Sequence, residues 1–244
     1  MTPALRTILL GGWTPLALGS SLLAWWDAER PDLITAPGGA MSIWRDIVGG
    51  YDVTQAVGAS KPVYSATSFN GRPGVSFDGI DDELTGAFPA SFPTGAIPNE
   101  IWGVTSQDAL AADVSSRVVA ACGAGSFQGR SLERTVVSGA NRAFTRVGNG
   151  AANLTAIEGT VDFSGRHVCS AIIDGSNIFG EIDTVVSAAT ACTPLTSGLR
   201  VRLGASAANT ASSYWSGTHS AILITSIITA MQRAQLYAYF NRRL

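Results

Sequence analysis

Charged side chains are scarce in this chain. Asp, Glu, Lys and Arg make up 14% of its 244 residues, the net charge is -2, and Lys61 is the one lysine. A chain without an excess of positive charge has no electrostatic reason to bind nucleic acid, so we expect no nucleic-acid partner. No glycine-rich loop follows a strand and opens a helix, which excludes the usual nucleotide phosphate site.

Cysteine is also rare. Cys122, Cys169 and Cys192 are an odd number at wide spacing, and no C-x-x-C pair is present, so a zinc site is not expected. Three buried free thiols are the favoured interpretation. A disulfide between Cys169 and Cys192 stays open, because it requires only that their two strands be neighbours.

Long apolar runs are missing as well. Residues 1–26 are strongly apolar, but Gly11, Gly12 and Pro15 interrupt them, and no run approaches the roughly 20 residues that cross a bilayer. We therefore predict neither a signal peptide nor a membrane partner. Residues 1–20 are predicted to be an arm.

The arm is expected to dock on its own domain, on a sister subunit or on a larger assembly. Its apolar anchors are Ile8, Leu9, Leu10 and Trp13. Exposed on a monomer, such side chains would promote aggregation, so they are expected to be buried against something.

Short alternating segments between turn residues fill the rest of the chain. Residues 74–77 alternate small or polar with apolar side chains, the pattern of a half-buried strand. Asn70-Gly71 and Asp78-Gly79 are turn signals that bound the segment from residue 72 to residue 77. Residues 199–203 alternate too, which predicts that Arg200 and Arg202 face water. Residues 221–228 are almost all apolar, as in a strand buried on both faces.

A helix is predicted at the end of the chain. Thr229 followed by Gln232 forms a capping box, and Leu236 and Phe240 then recur on one face. Arg242-Arg243 is predicted to lie in the last turn, where positive charge suits the helix dipole.

A family resemblance rests on the order of aromatic, acidic and glycine residues in the first third of the chain. The residues that carry it are Trp25-Trp26-Asp27, Trp44-Arg45-Asp46, Gln55, Lys61-Pro62, Gly71-Arg72-Pro73-Gly74 and Phe77-Asp78-Gly79-Ile80-Asp81-Asp82, with Leu84. In this order they resemble the laminin-G-like, concanavalin-A-like jelly-roll domains found in bacteriophage and prophage structural proteins. The resemblance covers about residues 22–244. It implies an all-β jelly-roll sandwich over residues 21–244, with an N-terminal arm and a short C-terminal helix.

Glu181 and Asp183 are candidate carbohydrate-binding residues. Strand alternation would place both carboxylates on one face, roughly 6.7 Å apart. The pair is similar to the start of the Glu-x-Asp-x-Glu motif of concanavalin-like β-glucan hydrolases, but Val185 and Val186 stand where another acid is needed. We therefore expect no enzyme activity, and a solvated strand face is the alternative role of the two acids.

Tyr214 and Trp215 are the other candidate carbohydrate-binding residues, because aromatic rings stack on sugars. The resemblance implies a different role for Trp215, at the start of a core strand.

Asp78, Asp81 and Asp82 are a candidate Ca²⁺ site, since clustered carboxylates supply the oxygen ligands that this ion prefers. The alternative role of these three residues is to form a turn without binding an ion. No other cofactor is expected.

The resemblance implies a non-enzymatic virion component, such as a capsid decoration, spike or tail protein, located on the virion or another extracellular surface. Its arm would bind other virion proteins, and by analogy it could form a homotrimer. A carbohydrate-binding adhesin that recognises a host glycan is the alternative, and a β-glucan hydrolase is a third.

Overall fold

The computed structural model describes residues 12–88, 95–107, 117–123, 129–137, 140–157, 165–195, 200–206 and 213–244. The strands in chain order are β1 (Leu22–Asp27), β2 (Ile34–Thr35), β3 (Ile43–Trp44), β4 (Val53–Thr54), β5 (Val63–Phe69), β6 (Arg72–Asp78), β7 (Leu84–Ala87), β8 (Asn99–Gln107), β9 (Arg117–Gly123), β10 (Gly129–Val137), β11 (Ala140–Gly148), β12 (Asn153–Ile157), β13 (Gly165–Ile173), β14 (Asn177–Ile182), β15 (Val185–Val186), β16 (Thr190–Ala191), β17 (Arg200–Leu203) and β18 (Ser216–Thr225). Short 3-10 segments span Pro15–Ser21, Pro31–Leu33, Pro37–Gly39 and Gly58–Ser60, and one α-helix, α1, spans Ala230–Asn241.

The described strands form two antiparallel sheets. The first has the order β15-β14-β13-β8-β18-β6-β5, with β16 also beside β14 and β1 also beside β18. The second has the order β12-β11-β10-β9-β17-β7-β4-β3-β2. The predicted all-β jelly-roll sandwich with a short C-terminal helix is therefore confirmed.

The main hydrophobic core lies between the two sheets. Inward side chains of the first sheet, among them Trp26, Ile101 and Ile222, meet those of the second, among them Leu132 and Leu203. Strand β18 lies at the centre of its sheet, with β8 along one edge and β6 followed by β1 along the other. Its apolar sequence is explained by this position, because both of its faces are covered.

A second core lies on the other face of the first sheet, under α1. Leu236, Tyr237 and Phe240 of the helix pack there against Trp25 and Trp102. The predicted capping box is confirmed. The side chain of Thr229 accepts from the backbone N–H of Gln232, and the side chain of Gln232 accepts from the backbone N–H of Thr229.

The described part of the arm packs on its own domain. Leu18 is buried in the core under α1, and the ring of Trp13 meets that of Tyr239 edge-on, with centroids 6.1 Å apart. Ile8, Leu9 and Leu10 lie outside the described residues. Among the described residues, no helix is long and apolar enough to cross a membrane.

All three cysteines are free and buried, as predicted, and the disulfide that the sequence left open is not formed. Cys169 lies between the sheets, whereas Cys192 belongs to a separate small cluster with Ile173 and Ile178. Burial raises the pKa of Cys122 to about 12, so this thiol stays protonated at neutral pH.

Candidate functional site

A row of side chains, polar except for Ala121, crosses the outer face of the second sheet. The pairings of seven neighbouring strands place these residues side by side, each opposite the next: Thr155, Arg146, Ser131, Ala121, Arg202, Thr85 and Thr54. We call these seven residues the outer row. Six strand spacings give it a length of roughly 29 Å.

Strand alternation explains why the outer row faces away from the core. Leu84, Ala120, Leu132 and Leu203 are sequence neighbours of its members, and all four point into the main core. The residues next to them must therefore point to the opposite face. The row is accessible at its ends, where Thr54 and Thr155 are exposed, and shielded at its centre.

Two arginine–glutamate ion pairs stand on this face. Arg146 lies 3.3 Å from Glu133, and Arg202 lies 3.1 Å from Glu83. Burial raises the pKa of Glu133, and the charge of Arg146 partly reverses that rise. Burial lowers the pKa of Arg202, and Glu83 counteracts this change. The face is thus rich in hydrogen-bonding groups, and the two pairs carry no net charge.

Arg202 corrects one expectation. The alternation of residues 199–203 correctly places Arg202 on the face away from the core, but the side chain is only 8% exposed instead of solvated. Its guanidinium also donates to the carbonyl oxygen of Ser206.

The two candidate aromatic residues have different environments. Tyr214 is half-buried near Glu83 and Arg202. Its pKa is raised, chiefly by burial and then by the charge of Glu83. Trp215 is fully buried between the sheets and stacks on His219 at a centroid distance of 5.5 Å. The sugar-stacking hypothesis is therefore wrong for Trp215, because its ring has no face open to a ligand.

The Asp78–Asp82 turn brings three carboxylates together at the end of β6. The ligand oxygens of Asp78, Asp81 and Asp82 lie within 4.8 Å of one another. Asp78 accepts the backbone N–H of Ile80, and Asp82 accepts that of Asp78, so these carboxylates also hold the turn itself. Burial raises the pKa of Asp82 to about 6, and the charges of Asp78 and Asp81 add to the rise. Calcium binding at this turn stays a prediction.

Glu181 corrects the expectation of a solvated strand face. The residue is 4% exposed, on the face of the first sheet that α1 covers, and its carboxylate accepts from the hydroxyl of Ser170 at 2.9 Å. Burial raises the pKa of Glu181. The carboxylate is therefore part of the packing under α1.

Asp183 does not share a strand face with Glu181, which corrects the predicted pairing of the two acids. Strand β14 ends at Ile182, and Asp183 has a φ of 46° in the turn to β15. Its carboxylate instead lies 2.6 Å from Nδ1 of His167 and accepts the backbone N–H of Val168 at 3.0 Å.

The sequence did not point to Ser131, Glu133 or Arg146 as site residues. Nothing in their local sequence distinguishes them. Only the register of β10 on β11 brings Ser131 opposite Arg146.

Comparison with protein-family models and with curated proteins gives no match to this chain. Solved structures with a similar fold include a Trypanosoma rangeli sialidase in complex with 2,3-difluorosialic acid, described as a covalent intermediate. Its TM-score is 0.62 at 11% identity, over 97% of this chain and 37% of the sialidase chain. An arabinofuranosidase complexed with arabinofuranosyl-alpha-1,2-xylobiose has a TM-score of 0.57 at 13% identity, over 82% of this chain and 50% of that chain.

This chain thus spans about a third of the sialidase chain and half of the arabinofuranosidase chain. At these identities the likeness shows the fold alone. The chain is a β-sandwich of the kind that occurs within these larger proteins.

Proposed function

We propose that this chain is a non-catalytic carbohydrate-binding module and that its outer row binds an extended glycan. The observation that carries the proposal is the row itself, in which six of the seven strands between Thr54 and Thr155 present a hydroxyl or guanidinium group, the exception being Ala121 on β9. The accessible members of the row are exposed Thr54 and Thr155 and half-buried Thr85 and Arg146. They offer donors and acceptors at separated points along its length, which suits a polymer with hydroxyl groups at intervals.

The net charge of -2 of the whole chain gives no electrostatic reason to bind a nucleic acid. Arg146 and Arg202 are each paired with a glutamate, so these two pairs add no net charge to the face. The half-buried ring of Tyr214 beside Arg202 offers an aromatic surface with a polar tip, which suits a sugar ring.

The similar solved structures support the same class of ligand. Both are described as glycan-processing proteins bound to sugars, and this fold forms only part of each chain. A non-catalytic role fits the burial of Glu181, because a carboxylate enclosed under α1 is not accessible to a glycosidic bond.

A glycan array, followed by titration calorimetry with the strongest ligand, tests the proposal. We expect binding, and we expect Arg146→Ala and Tyr214→Ala each to weaken it by about tenfold, the effect of losing a charge-assisted hydrogen bond or a stacking contact. Arg30→Ala is the matched control, since Arg30 is an exposed arginine that is paired with Asp32 and is not a member of the row. Its affinity should equal that of the unmodified chain.

Two results would contradict the proposal. One is an array without any bound glycan. The other is an affinity that Arg146→Ala and Tyr214→Ala leave unchanged. Trp215→Ala is unsuitable as a binding variant, because removing a fully buried ring would mainly lower stability.

The finer proposal is that the module is displayed on a virion. It is supported by the resemblance to phage structural proteins and by the apolar residues Ile8, Leu9 and Leu10 of the arm. A variant lacking residues 2–11 leaves the packed residues Trp13 and Leu18 in place. We expect the full chain to be an oligomer by light scattering, a trimer by analogy, and this variant to be a folded monomer. The same number of subunits in both proteins would argue against an assembly arm.

A further inference from the structure

A cavity of about 310 Å³ lies between the β14–β15 turn and the last turns of α1. Asp183, Thr184, Tyr237, Ala238 and Asn241 line it. Tyr237 and Ala238 lie four and three residues before Asn241, so all three border one side of α1. The cavity shares no residue with the outer row and lies on the opposite layer of the sandwich.

The turn at the edge of the cavity has a backbone conformation that is unfavourable for its residues. Ile182 pairs with Val185, so Asp183 and Thr184 form a two-residue hairpin loop, and their φ values are 46° and 78°. Loops of this type prefer Asn-Gly, because glycine adopts positive φ without steric cost and a β-branched residue does not. Thr184 thus occupies a position where glycine would suit the fold better, which is the kind of strain that collects at ligand sites.

Contacts from the neighbouring strand fix the carboxylate of Asp183. One oxygen lies 2.6 Å from Nδ1 of His167, and the other accepts the N–H of Val168. The N–H of Asp183 in turn donates to the carbonyl oxygen of Val168 at 2.8 Å. The carboxylate is nevertheless 37% exposed, so it is held in one orientation while it remains open to a ligand.

The base of the cavity is aromatic and well packed. Tyr237 is buried, and its ring meets that of Trp102 edge-on at 5.3 Å. The methyl group of Ala238 lies beside it in the cavity lining. An apolar base with a carboxylate, a hydroxyl and an amide at the rim matches a sugar, which has an apolar C–H face and a ring of hydroxyl groups.

We propose that this cavity is a second binding site, for one neutral monosaccharide unit. The sugar's C–H face would lie on the methyl group of Ala238 and on the edge of the Tyr237 ring that lines the cavity. Its hydroxyl groups would donate to Asp183 and exchange hydrogen bonds with Thr184 and Asn241. The carboxylate disfavours anionic ligands.

Nuclear magnetic resonance with three probes tests the proposal: methyl α-D-glucopyranoside, methyl α-D-mannopyranoside and methyl β-D-galactopyranoside. We expect at least one of them, at millimolar concentration, to shift the Thr184 backbone amide and the Asn241 side-chain amide. Asp183→Asn and Ala238→Trp should each raise the dissociation constant by about tenfold or more, the first by removing a charged acceptor and the second by filling the cavity.

Thr184→Gly separates ligand binding from folding. Because glycine relieves the backbone strain, this variant should unfold no more easily than the unmodified chain, yet bind the probe more weakly. Met231→Ala is the control on the same helix, since Met231 is exposed and outside the cavity. It should leave the shifts unchanged.

The proposal fails if none of the three probes shifts these two amides, or if the shifts persist in Ala238→Trp. It also fails if Arg146→Ala abolishes them, because the outer row would then be their source. The outcome is independent of the glycan array, whose strongest ligand is defined by its sensitivity to Arg146→Ala.

Discussion

Replacing Arg243 with leucine is expected to lower the free energy of unfolding by about 3–5 kcal/mol, the usual effect of breaking a buried ion pair. Arg243 is fully buried, and its guanidinium donates to both carboxylate oxygens of Asp27, at 2.9 and 2.8 Å. It also donates to the hydroxyl of Ser220 at 3.1 Å. The variant would leave Asp27 buried and charged without its partner.

Chemical denaturation at pH 7 measures the effect, and Arg242→Ala is the matched control. Arg242 is 49% exposed, and its guanidinium lies as far as 3.9 Å from the carboxylate of Glu29. Loss of this exposed, long ion pair should cost less than about 1 kcal/mol. Adding Asp27→Asn to Arg243→Leu should recover part of the lost stability, because the amide carries no charge to bury. If Arg243→Leu and Arg242→Ala lower the free energy of unfolding equally, the buried pair of Arg243 and Asp27 does not make the large contribution expected here.

The second large effect concerns acid stability. His219 is fully buried in the core, and its Nδ1 lies 2.9 Å from the hydroxyl of Thr105. Burial lowers the pKa of His219 from 6.5 to about 3. Between these two pH values the unfolded chain binds a proton that the folded chain does not. The stability that neutral His219 contributes is therefore complete above pH 6.5 and falls as the pH drops toward 3.

At pH 4.5, two units below the unfolded pKa, the loss should reach about 3 kcal/mol. The raised pKa of Asp82 acts in the opposite direction, since folded Asp82 gains a proton as the pH falls below about 6. Comparison with His219→Gln isolates the histidine. The stability difference between the unmodified chain and this variant should shrink by about 3 kcal/mol from pH 7 to pH 4.5.

Thr105→Val is the control for this series. It removes the hydroxyl that contacts His219 but keeps the imidazole, so it should lower stability at both pH values and retain the acid sensitivity. If the unmodified chain and His219→Gln lose stability in parallel, the acid sensitivity has another source.

Local patterns predicted much of the fold. The segment from Arg72 to Phe77 between two glycine turns became β6, and the apolar run from Ala221 forms most of the central strand β18. Thr229 and Gln232 marked the start of α1. These features depend on side-chain period, turn chemistry and capping, all of which operate over a few residues.

Burial of particular side chains was predicted less well. Arg243 was expected in the last turn of the helix, but α1 ends at Asn241 and Arg243 enters the core. Glu181 was expected on a solvated strand face, yet α1 covers that face. In each case the deciding partner, such as Asp27 for Arg243, is far away in the sequence.

The sequence by itself determined the alternating strands, the turns and the start of the helix, because each follows from local composition and spacing. The jelly-roll fold class was implied by the family resemblance, and the structure settled that Cys169 and Cys192 are free. Only the tertiary structure decided which residues form the outer row and the cavity beside Asp183. The row depends on the register of seven strands, and the cavity depends on where α1 lies against the β14–β15 turn. Both result from packing between distant segments, which a local pattern does not encode.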